Sequence, residues 1–470
     1  MKRFVPFFAS LAVLICFSCV KPAELPPPDP EPEPVQDPEP VEEPPLPSPV
    51  EVTVGEPLPL WQKGYLDIHS INGGRGESFY YIMPDGTTML VDAAGGSDFE
   101  IVGEEDGSGI YSRPSQSYSS GSVIVQYIKH FAPSATDVSL DYFMTSHYHG
   151  DHMGTYTKGF SKFGWKVVDA NGTITPAINL DAGGFLLNGV QEVGYYIPIK
   201  KIIDRGNWAY RASNIYLTSS SRMQNYLNFI DWSSRKNGTV REKLAIGRDD
   251  QIVLRHSSSS YPDFKVRGIA AGGDIWTGSG TSVNTTYVPS AEECMKNIET
   301  WDQNENIFSC VFTLSYGKFD WFSGGDIQYN GYTTYPWKDI ENPISKVVGK
   351  VEAMKACHHC TKSTNSTKLL NALKPDNFII GVWTKNQPNP ATLKRVYKAS
   401  PDVRIFATNM AESIITELKA ESIDPAGFCA TSGHIVIRVV PGGGSYYIFV
   451  LDDSDFNYRV ASVHGPYNCN

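Results

Sequence analysis

The spacing of apolar residues predicts a sheet at the start of the globular part of this chain. Apolar and polar residues alternate over residues 61–71, and short apolar runs follow at residues 79–83 and 88–91. A repeat of two places alternate side chains on opposite faces, which is typical of a half-buried strand. Pro84-Asp85-Gly86 separates the last two runs and has the composition of a hairpin turn. We therefore predict three consecutive strands, the last of which ends at Asp92.

A helix and a fourth strand are predicted next. Residues 122–131 carry apolar side chains at spacings that fit one side of a helix. Residues 138–144 form an apolar-rich run that is typical of a strand, and this run stops directly before the polar segment 147–152. A strand that ends in a tight turn can place several side chains around one point. The polar segment is therefore a candidate functional site.

The second half of the chain has the same organisation. Strands are predicted at residues 264–269, 307–316 and 320–325, and the last of these ends at Asp326. The remaining predicted elements alternate between helix and strand: a helix at 345–354, a helix end at 369–373, a strand at 377–382, a helix at 393–398, a strand at 404–408 and a C-terminal hairpin of 433–439 with 445–451. This order predicts a mixed α/β (α+β) architecture.

The region between these two halves gives weaker signals. A strand at 195–199 and a helix at 223–232 are the elements predicted there. We assign residues 195–263 to an insertion that would carry substrate specificity. Its candidate substrate contacts are aromatic, with an ordinary core position as the alternative for each: Trp208, Tyr210 and Tyr226.

The N-terminus has the organisation of an export signal. Met1-Lys2-Arg3 is a basic head, and residues 4–17 form an apolar run that is too short to favour a membrane-spanning helix. Residues 14–19 resemble a lipoprotein signal, in which residues 1–18 are removed and Cys19 is acylated. An ordinary cleaved secretory signal is the alternative. We predict an exported protein that is lipid-anchored at Cys19 to the bacterial cell envelope, in the periplasm or at the cell surface.

Residues 19–58 are predicted to form a disordered tether. Pro, Glu and Asp dominate residues 20–50, which have almost no aromatic residues and no apolar periodicity. Such a segment cannot bury enough apolar surface to offset the entropy of ordering, and its prolines favour extended structure. The globular domain is therefore assigned to residues 59–470. About 410 residues is long for one domain, so we expect a core with insertions.

Net charge and cysteine content limit the partners and the covalent chemistry. The formal net charge of −11 argues against a broad basic surface that holds long nucleic acid. No protein partner is predicted. An even number of cysteines in an exported chain is compatible with disulfides, in any of fifteen pairings, and we expect disulfides or free thiols rather than a zinc knuckle. The six cysteines beyond the signal region are Cys294, Cys310, Cys357, Cys360, Cys429 and Cys469.

The polar segment after the fourth predicted strand has the composition of a metal site. It contains the pattern H-x-H-x-D-H, formed by His147, His149, Asp151 and His152. Imidazole nitrogens and carboxylate oxygens suit zinc and similar divalent ions. Two histidines two residues apart can reach one metal, and the adjacent Asp151 and His152 can reach a second metal about 3.5–4 Å away. The pattern therefore predicts a metal centre with two ions.

This pattern is the signature of the metallo-β-lactamase superfamily, and the chain resembles that family, in particular its ComEC-type competence branch. The resemblance covers residues 66–439 and implies an αββα four-layer sandwich with insertions, whose metals lie at the strand ends of one edge. The matching segments around the H-x-H-x-D-H pattern follow the family order: Gly74-x-Gly76-Glu77-Ser78, Pro84-Asp85-Gly86, Leu90-Val91-Asp92, Ser323-Gly324-Gly325-Asp326 and Lys355-Ala356-Cys357-His358-His359.

The resemblance also implies roles for individual residues. Asp92 would support the metal loop without binding metal, and Asp326 would bridge both metals. His359 would bind the second metal while His358 faces the substrate as a proton donor or oxyanion partner, and the reverse assignment stays open. The predicted ligands are His147, His149, Asp151, His152, Asp326 and His359.

Four further residues bear on this ligand set. A further ligand to the first metal is found in many family members, and His256 and Asp274 are the candidates here. Cys360 occupies the position after the His pair where the branch usually has glycine. His434 could reach the site, but we expect it to have a structural role.

The resemblance implies a metal-dependent hydrolase. Two divalent ions, zinc or alternatively manganese or iron, would turn a bridging water into hydroxide. Asp151 and Asp326 would orient that hydroxide, and His358 would assist the leaving group. Phosphodiesters are the commonest substrates of this branch, so we predict a phosphodiesterase acting on a small molecule, with nucleic acid less favoured. The alternatives are hydrolysis of another ester such as a lactone, and a surface lipoprotein that binds metal without turnover.

Overall fold

The structure, a computed structural model, describes residues 51–95, 112–115, 117–156, 164–206, 220–285, 305–329 and 339–470. Structural statements below refer to these residues, of which 51–470 belong to one compact unit, Pro47–Asn470. The predicted signal, residues 19–50 of the predicted tether, Trp208, Tyr210 and Cys294 lie outside the described residues.

Strands make up most of the regular structure in the described part of the chain. They are β1 Leu66–Ser70, β2 Phe79–Ile82, β3 Thr88–Val91, β4 Leu140–Met144, β5 Val167–Val168, β6 Ile174–Thr175, β7 Phe185–Leu186, β8 Ile199–Asp204, β9 Val240–Lys243, β10 Phe264–Ala271, β11 Asp274–Trp276, β12 Val283–Asn284, β13 Val311–Tyr316, β14 Phe319–Ser323, β15 Ala353–Lys355, β16 Asn377–Ile380, β17 Arg404–Ala407, β18 His434–Val439, β19 Ser445–Leu451 and β20 Val460–Asn468.

Some of the helices begin at a polar capping residue. The α-helices are α1 Ser120–Phe131, α2 Gly150–Met153, α3 Val190–Tyr196, α4 Ser221–Asn237, α5 Glu341–Ile344, α6 Thr367–Leu373, α7 Pro390–Ala399 and α8 Glu412–Ala420. Ser119 caps α1 by accepting a hydrogen bond from the Ser122 amide, and Asn389 caps α7 in the same way with Pro390 directly after it. Such caps satisfy amides that have no partner inside the helix.

Two large sheets share one plan. The nine-stranded sheet has the order β20-β19-β18-β1-β2-β3-β4-β8-β9, and the eight-stranded sheet has the order β12-β11-β10-β13-β14-β15-β16-β17. In the first sheet, β1 to β3 are antiparallel, while β3, β4, β8 and β9 are parallel. In the second, β10, β13 and β14 are antiparallel, while β14 to β17 are parallel. The carboxyl ends of parallel strands meet at one edge, where α/β sheets place their ligands.

Three hydrophobic clusters define four layers. The first cluster joins the nine-stranded sheet to α1, α3 and α4, the second lies between the two sheets, and the third joins the eight-stranded sheet to α5 through α8. Successive residues of β2 alternate between clusters, since Phe79 and Tyr81 face the second and Tyr80 and Ile82 face the first. The order is therefore helix, sheet, sheet, helix, which confirms the predicted αββα sandwich.

Several predicted elements agree with this structure and two do not. The helix at 122–131, the helix at 223–232 and the C-terminal hairpin correspond to α1, α4 and the β18–β19 pair. The strand predicted at 195–199 is wrong, because α3 extends to Tyr196 and β8 begins only at Ile199. The helix predicted at 345–354 is also wrong, because this stretch follows α5 and ends in strand β15.

The region assigned to an insertion contributes to the main fold. Residues 195–263 supply β8 and β9 to the nine-stranded sheet and α4 to its outer face. A separate three-stranded sheet, β6-β5-β7, comes before it in the chain. Tyr226 is fully buried in the first cluster and donates a hydrogen bond to Asp204, which is a core position.

The described ends of the folded unit contact each other. The Gly55 amide donates to the Val460 carbonyl at 2.8 Å, and Leu58 is buried against the first cluster. The last residues of the predicted tether are therefore part of the folded unit. Across the described ranges, no helix is long and apolar enough to span a membrane, and the cysteines found there are free thiols.

His434 has a structural environment on the helix side of the nine-stranded sheet. It starts β18, and its Nδ1 accepts a hydrogen bond from the Asn72 amide at 3.0 Å. Its ring packs against Tyr127 and Tyr458, at centroid distances of 4.8 and 5.6 Å. Burial lowers the pKa of His434 to about 3. The folded chain therefore keeps this ring neutral where the unfolded chain would protonate it.

This environment predicts a pH dependence of stability. A histidine with a lowered pKa binds fewer protons when folded, so stability falls as pH falls below the ordinary value of about 6.5. Replacing His434 by Asn keeps an acceptor for the Asn72 amide and removes the titration. We expect the loss of unfolding free energy between pH 7 and pH 5 to be smaller in H434N by about 2 kcal/mol. Urea unfolding at both pH values measures this difference, and equal losses in the two proteins would contradict it.

Candidate metal centre

Residues from both sheets converge at the carboxyl ends of the parallel strands. In the nine-stranded sheet, Asp92 follows β3 and the segment 147–152 follows β4. In the eight-stranded sheet, Asp326 follows β14 after a short turn, and His359 follows β15. Each of these strands is buried, so its end point is fixed by the core on both faces. The fold thus brings four separate segments to one edge.

The H-x-H-x-D-H segment is held by close backbone contacts. The Ser146 amide donates to Asp92 Oδ1 at 2.7 Å, and the Glu77 amide donates to the Asp151 carbonyl at 3.2 Å. Gly76 has a φ of +66°, and a Cβ at this position would lie 1.8 Å from the Asp151 carbonyl oxygen. Only glycine fits at this approach. The glycine-rich turn before β2 therefore fixes the metal segment from one side.

Asp326 occupies the centre of the cluster. The ring nitrogens Nε2 of His152, His359 and His147 lie 3.1, 3.4 and 4.0 Å from its Oδ2. Its amide donates to Ser309 Oγ at 3.0 Å, which fixes its backbone. Donor atoms of Asp151, His152, Asp326 and His359 all lie within 4.8 Å of one another, which is a spacing that could hold a metal ion.

His147 and His149 form a pair of rings beside this group. His147 Nε2 is 3.0 Å from His149 Nδ1, and the two rings are 4.7 Å apart. His147 is fully buried, while His149 is partly accessible. The six residues predicted as ligands are therefore brought together as one connected cluster. Their binding of metal stays a prediction.

The rings of His152 and His359 are oriented by hydrogen bonds from outside the cluster. His152 Nδ1 donates to Asp92 Oδ2 at 2.8 Å, and His359 Nδ1 donates to the Gly381 carbonyl at 2.8 Å. Both bonds leave Nε2 without a proton in the neutral ring and aim its lone pair into the cluster. This arrangement, with a carboxylate or carbonyl behind the histidine, is typical of metal-binding histidines. The contact between Asp92 and His152 matches the supporting role that the resemblance implied.

The charged side chains of the cluster favour the binding of a cation. Burial alone would raise the pKa of Asp326, but the facing His152, His359 and Lys355 hold it well below its usual range. Burial alone would lower the pKa of His359, but Asp326 and Glu77 raise it well above its usual value. The carboxylates thus attract positive charge to the place where they meet. A divalent cation there would replace the protons, because metal-binding histidines must be neutral.

One buried atom supports the same conclusion. His359 Nε2 is inaccessible to solvent and has no hydrogen-bond partner among the described residues. It lies 3.4 Å from both Asp151 Oδ2 and Asp326 Oδ2. An unpaired buried nitrogen is costly, and a cation bound between these three atoms would satisfy it. The donor set of imidazoles and carboxylates therefore fits zinc and similar ions.

His358 and His359 have different positions. The side chain of His358 is 27% exposed, whereas that of His359 is fully buried. His358 Nε2 lies 3.7 Å from Asp326 Oδ2. The side-chain nitrogen Nδ2 of Asn306 is 3.4 Å from both ring nitrogens of His358. Burial lowers the pKa of His358 to about 4, with Asp326 opposing the shift. His358 is therefore at the rim, where a substrate would meet it.

The His pair occupies a strained turn. His358, His359 and Cys360 have φ values of +47°, +52° and +61°. The left-handed conformation costs about 1–2 kcal/mol for each residue other than glycine. Cys360 replaces the usual glycine and adopts the glycine-like φ, while its side chain is buried in the third cluster. Cys360 thus adopts a backbone conformation that favours glycine.

The two candidates for a further ligand lie elsewhere. The side chain of His256 is half exposed, and its amide donates to Asp85 Oδ2 at 2.7 Å. Asp274 pairs with Lys243 at 2.7 Å. Neither belongs to the groups of donor atoms that could hold a metal.

Sequence reasoning missed two charged residues of the site. Lys355 is buried and donates to the Gly325 carbonyl at 2.6 Å, and its Nζ lies 2.7 Å from Glu77 Oε1 and 3.5 Å from Asp326 Oδ1. Glu77 Oε2 lies 3.3 Å from His359 Nδ1. Both residues lie in segments that resemble the family, but the resemblance implied no role for either of them. The available signal was a charged residue inside an apolar strand for Lys355 and a carboxylate in a glycine-rich turn for Glu77.

Comparisons with known proteins find similar solved structures. A protein from Parabacteroides distasonis assigned as a metal-dependent hydrolase matches at 12% identity, covering 74% of this chain and 94% of its own, with a TM-score of 0.31. The metallo-β-lactamase fold protein YhfI from Bacillus subtilis matches at 10% identity, over 74% and 98% of the two chains, with a TM-score of 0.32. Zinc-bound PqqB from Methylobacterium extorquens matches at 9% identity, over 79% and 99%, with a TM-score of 0.29.

No protein-family model and no curated protein matches the chain. At TM-scores near 0.3 the structural likenesses carry no weight for function. The four layers and the position of the cluster at the strand ends agree with the metallo-β-lactamase fold that the resemblance implies.

The contact between Asp92 and His152 gives a testable prediction. In D92N, an amide can replace one carboxylate oxygen, but the ring of His152 loses a charged acceptor. We expect the affinity for divalent metal to fall about 10- to 100-fold, as is common when a group that orients a ligand is removed. Titration with zinc in competition with a chromogenic chelator measures the affinity.

Asp141 provides the matched control. It is also buried and also accepts a backbone hydrogen bond, from the Thr88 amide at 2.9 Å, but it lies at the opposite end of β4. D141N should leave the metal affinity unchanged. Equal affinities in D92N and the native chain would contradict a supporting role for Asp92.

Proposed function

We propose that this chain is a metal-dependent phosphodiesterase with two divalent cations, zinc first among the candidates. The observation that carries the proposal is the convergence on Asp326, whose Oδ2 lies 4.0 Å or less from ring nitrogens of His147, His152 and His359. A carboxylate surrounded by imidazoles from separate segments suits a metal better than it suits a network of neutral hydrogen bonds.

The number of donors supports two cations. Six residues carry donor groups, whereas one zinc ion binds four ligands in most sites. His147 and His149 form one pair, with ring nitrogens 3.0 Å apart, and Asp151, His152 and His359 form a group with Asp326. Asp326 is within reach of both groups. A shared carboxylate between two sites is the arrangement that the resemblance implied.

The reaction that fits these groups is hydrolysis. Two bound cations would supply a hydroxide nucleophile at neutral pH and polarise the phosphoryl oxygen. Asp151 has a side chain 15% exposed beside the fully buried His359, so it can orient a nucleophile that enters from solvent. His358, at the rim, would donate a hydrogen bond to an oxygen of the substrate. Because the lowered pKa keeps this ring neutral near pH 7, the role that we assign to His358 is to stabilise negative charge on the leaving-group oxygen through that hydrogen bond.

Nearby positive and donor groups support an anionic substrate. Arg222 Nη1 donates to the Tyr148 carbonyl at 3.1 Å, so a guanidinium lies next to the residue between His147 and His149. The amide of Asn306 lies beside His358. Such groups bind the negatively charged oxygens of a phosphodiester. They would bind an uncharged lactone less strongly.

His358 and His359 make the proposal testable. H359A removes a buried donor and should lose both metal and hydrolysis of bis-p-nitrophenyl phosphate. H358A should keep its metal, while kcat falls about 10²- to 10³-fold, as when one hydrogen-bond donor to developing negative charge is removed. Elemental analysis of the purified variants and initial rates give both quantities. H464A is the control, because His464 lies on edge strand β20 and should tolerate the change.

Each other outcome overturns part of this account. If H359A keeps its metal and H358A loses it, His358 is the metal ligand and His359 faces the substrate. Metal bound without turnover of any phosphodiester or lactone would favour the binding lipoprotein, and turnover of lactones alone would change the substrate class.

We also propose that the enzyme is exported and lipid-anchored at Cys19, as residues 14–19 indicate. Native protein expressed with its signal should partition into the membrane fraction and incorporate labelled palmitate. C19S should do neither, because the acceptor thiol is absent. An unlabelled native protein in the soluble fraction would contradict the anchor.

A further inference from the structure

One side chain holds the start of the strained turn that carries the His pair. Asn365 Oδ1 accepts a hydrogen bond from the Cys357 amide at 3.0 Å, and Asn365 Nδ2 donates to the Cys357 carbonyl at 2.9 Å. Asn365 therefore satisfies both backbone groups of the residue directly before His358. Its side chain is fully buried, so these bonds form without competition from solvent.

Glu341 fixes Asn365 in turn. Its Oε1 accepts from the Asn365 amide at 2.7 Å, and its Oε2 accepts from the Ser366 amide at 2.5 Å. Glu341 is fully buried in α5. Ser366 is also the cap of α6, because its hydroxyl accepts from the Leu369 amide. The position of Asn365 is thus set by two helices of the outer layer.

The turn needs this support because its backbone is unfavourable. Three successive residues other than glycine, His358 to Cys360, have positive φ. Such conformations persist only where the surroundings over-determine them. Asn365 holds the start of the turn, and the Asn389 amide holds its end by donating to the Cys360 carbonyl at 2.9 Å. Both ends are therefore fixed by groups outside the turn.

We propose that Asn365, held by Glu341, is a positioning residue that sets the angle at which His359 meets the metals and His358 meets the substrate. The inference rests on the proposed function. The side chain of Asn365 hydrogen-bonds to the backbone of Cys357 and lies outside the group of metal-site donor atoms, so its effect passes through that backbone. Loss of the clamp should relax the turn and displace both rings together.

The chain contains a matched control for this geometry. Asn225 Oδ1 accepts from the Leu186 amide at 2.6 Å, and Asn225 Nδ2 donates to the Leu186 carbonyl at 3.3 Å. Asn225 is as fully buried as Asn365, and it clamps the three-stranded sheet instead of the His pair. N365A removes the hydrogen bonds to the amide and the carbonyl of Cys357, and N225A removes those to the amide and the carbonyl of Leu186.

The experiment compares N365A and N225A in cobalt(II)-loaded protein. We expect N365A to weaken the affinity for cobalt about 10- to 100-fold, as removal of groups that orient ligands does. Its visible absorption spectrum should change, because the angle of one ligand changes. N225A should keep both the affinity and the spectrum of the native chain, even if it lowers the unfolding midpoint by a similar amount. E341Q, which removes one of the two acceptors for the Asn365 and Ser366 amides, should shift both readouts in the same direction as N365A.

The outcomes separate this inference from the proposed function. Native affinity and an unchanged spectrum in N365A would overturn the positioning role, as would equal effects of N225A. If N365A does not fold, E341Q provides the test instead. A native spectrum and a native cobalt affinity in E341Q would then overturn the positioning role of Asn365. A native chain that binds no stoichiometric cobalt would instead overturn the metal centre itself.

Discussion

Buried negative charge is the constraint on which the arrangement at the sheet edge depends. Glu77, Asp92 and Asp326 are almost completely excluded from solvent, and Asp151 lies next to them. A buried carboxylate without a positive partner costs several kcal/mol. The positive and hydrogen-bond donor groups that compensate this charge come from the ends of different strands. Lys355, for example, contacts both Glu77 of one sheet and Asp326 of the other. The charges can be balanced only when both sheets have assembled, so folding and the site are coupled.

The same constraint explains why the backbone is unusual at this edge. The donor groups must approach more closely than regular strands allow, so glycine is used where one chain meets another, as at Gly76 against the Asp151 carbonyl. Glycine is absent from His358 to Cys360, where positive φ values destabilise the backbone. Hydrogen bonds from outside the turn offset that destabilisation. The strain is thus concentrated in the segment that presents two of the predicted functional side chains.

The sequence predicted what is local and missed what depends on long-range contacts. The H-x-H-x-D-H segment places four side chains within six residues, so its convergence follows from the motif itself. Asp326 and His359 were predicted through the resemblance, since spacing alone relates neither to residue 147. The roles of Glu77, Lys355 and Asn365 could not be predicted, because each acts on a residue that only the fold brings near.

The two wrong elements have physical reasons. Residues 195–199 are an apolar run in which Pro198 separates the end of α3 from the start of β8, and short apolar runs fit helix and strand equally. Residues 345–354 have apolar side chains at helical spacing, but Gly349 and several valines favour helix weakly. Pairing of β15 with β14 and β16 then decides the conformation of its last residues.

The central claim is that these side chains enclose two cations around Asp326. Anomalous diffraction from zinc-soaked crystals, measured above and below the zinc edge, tests it most directly. The account predicts two anomalous peaks about 3.5–4 Å apart, as in other two-metal sites, with Asp326 between them and His359 at one of them. Peaks elsewhere in the molecule, or none among these residues, would contradict it.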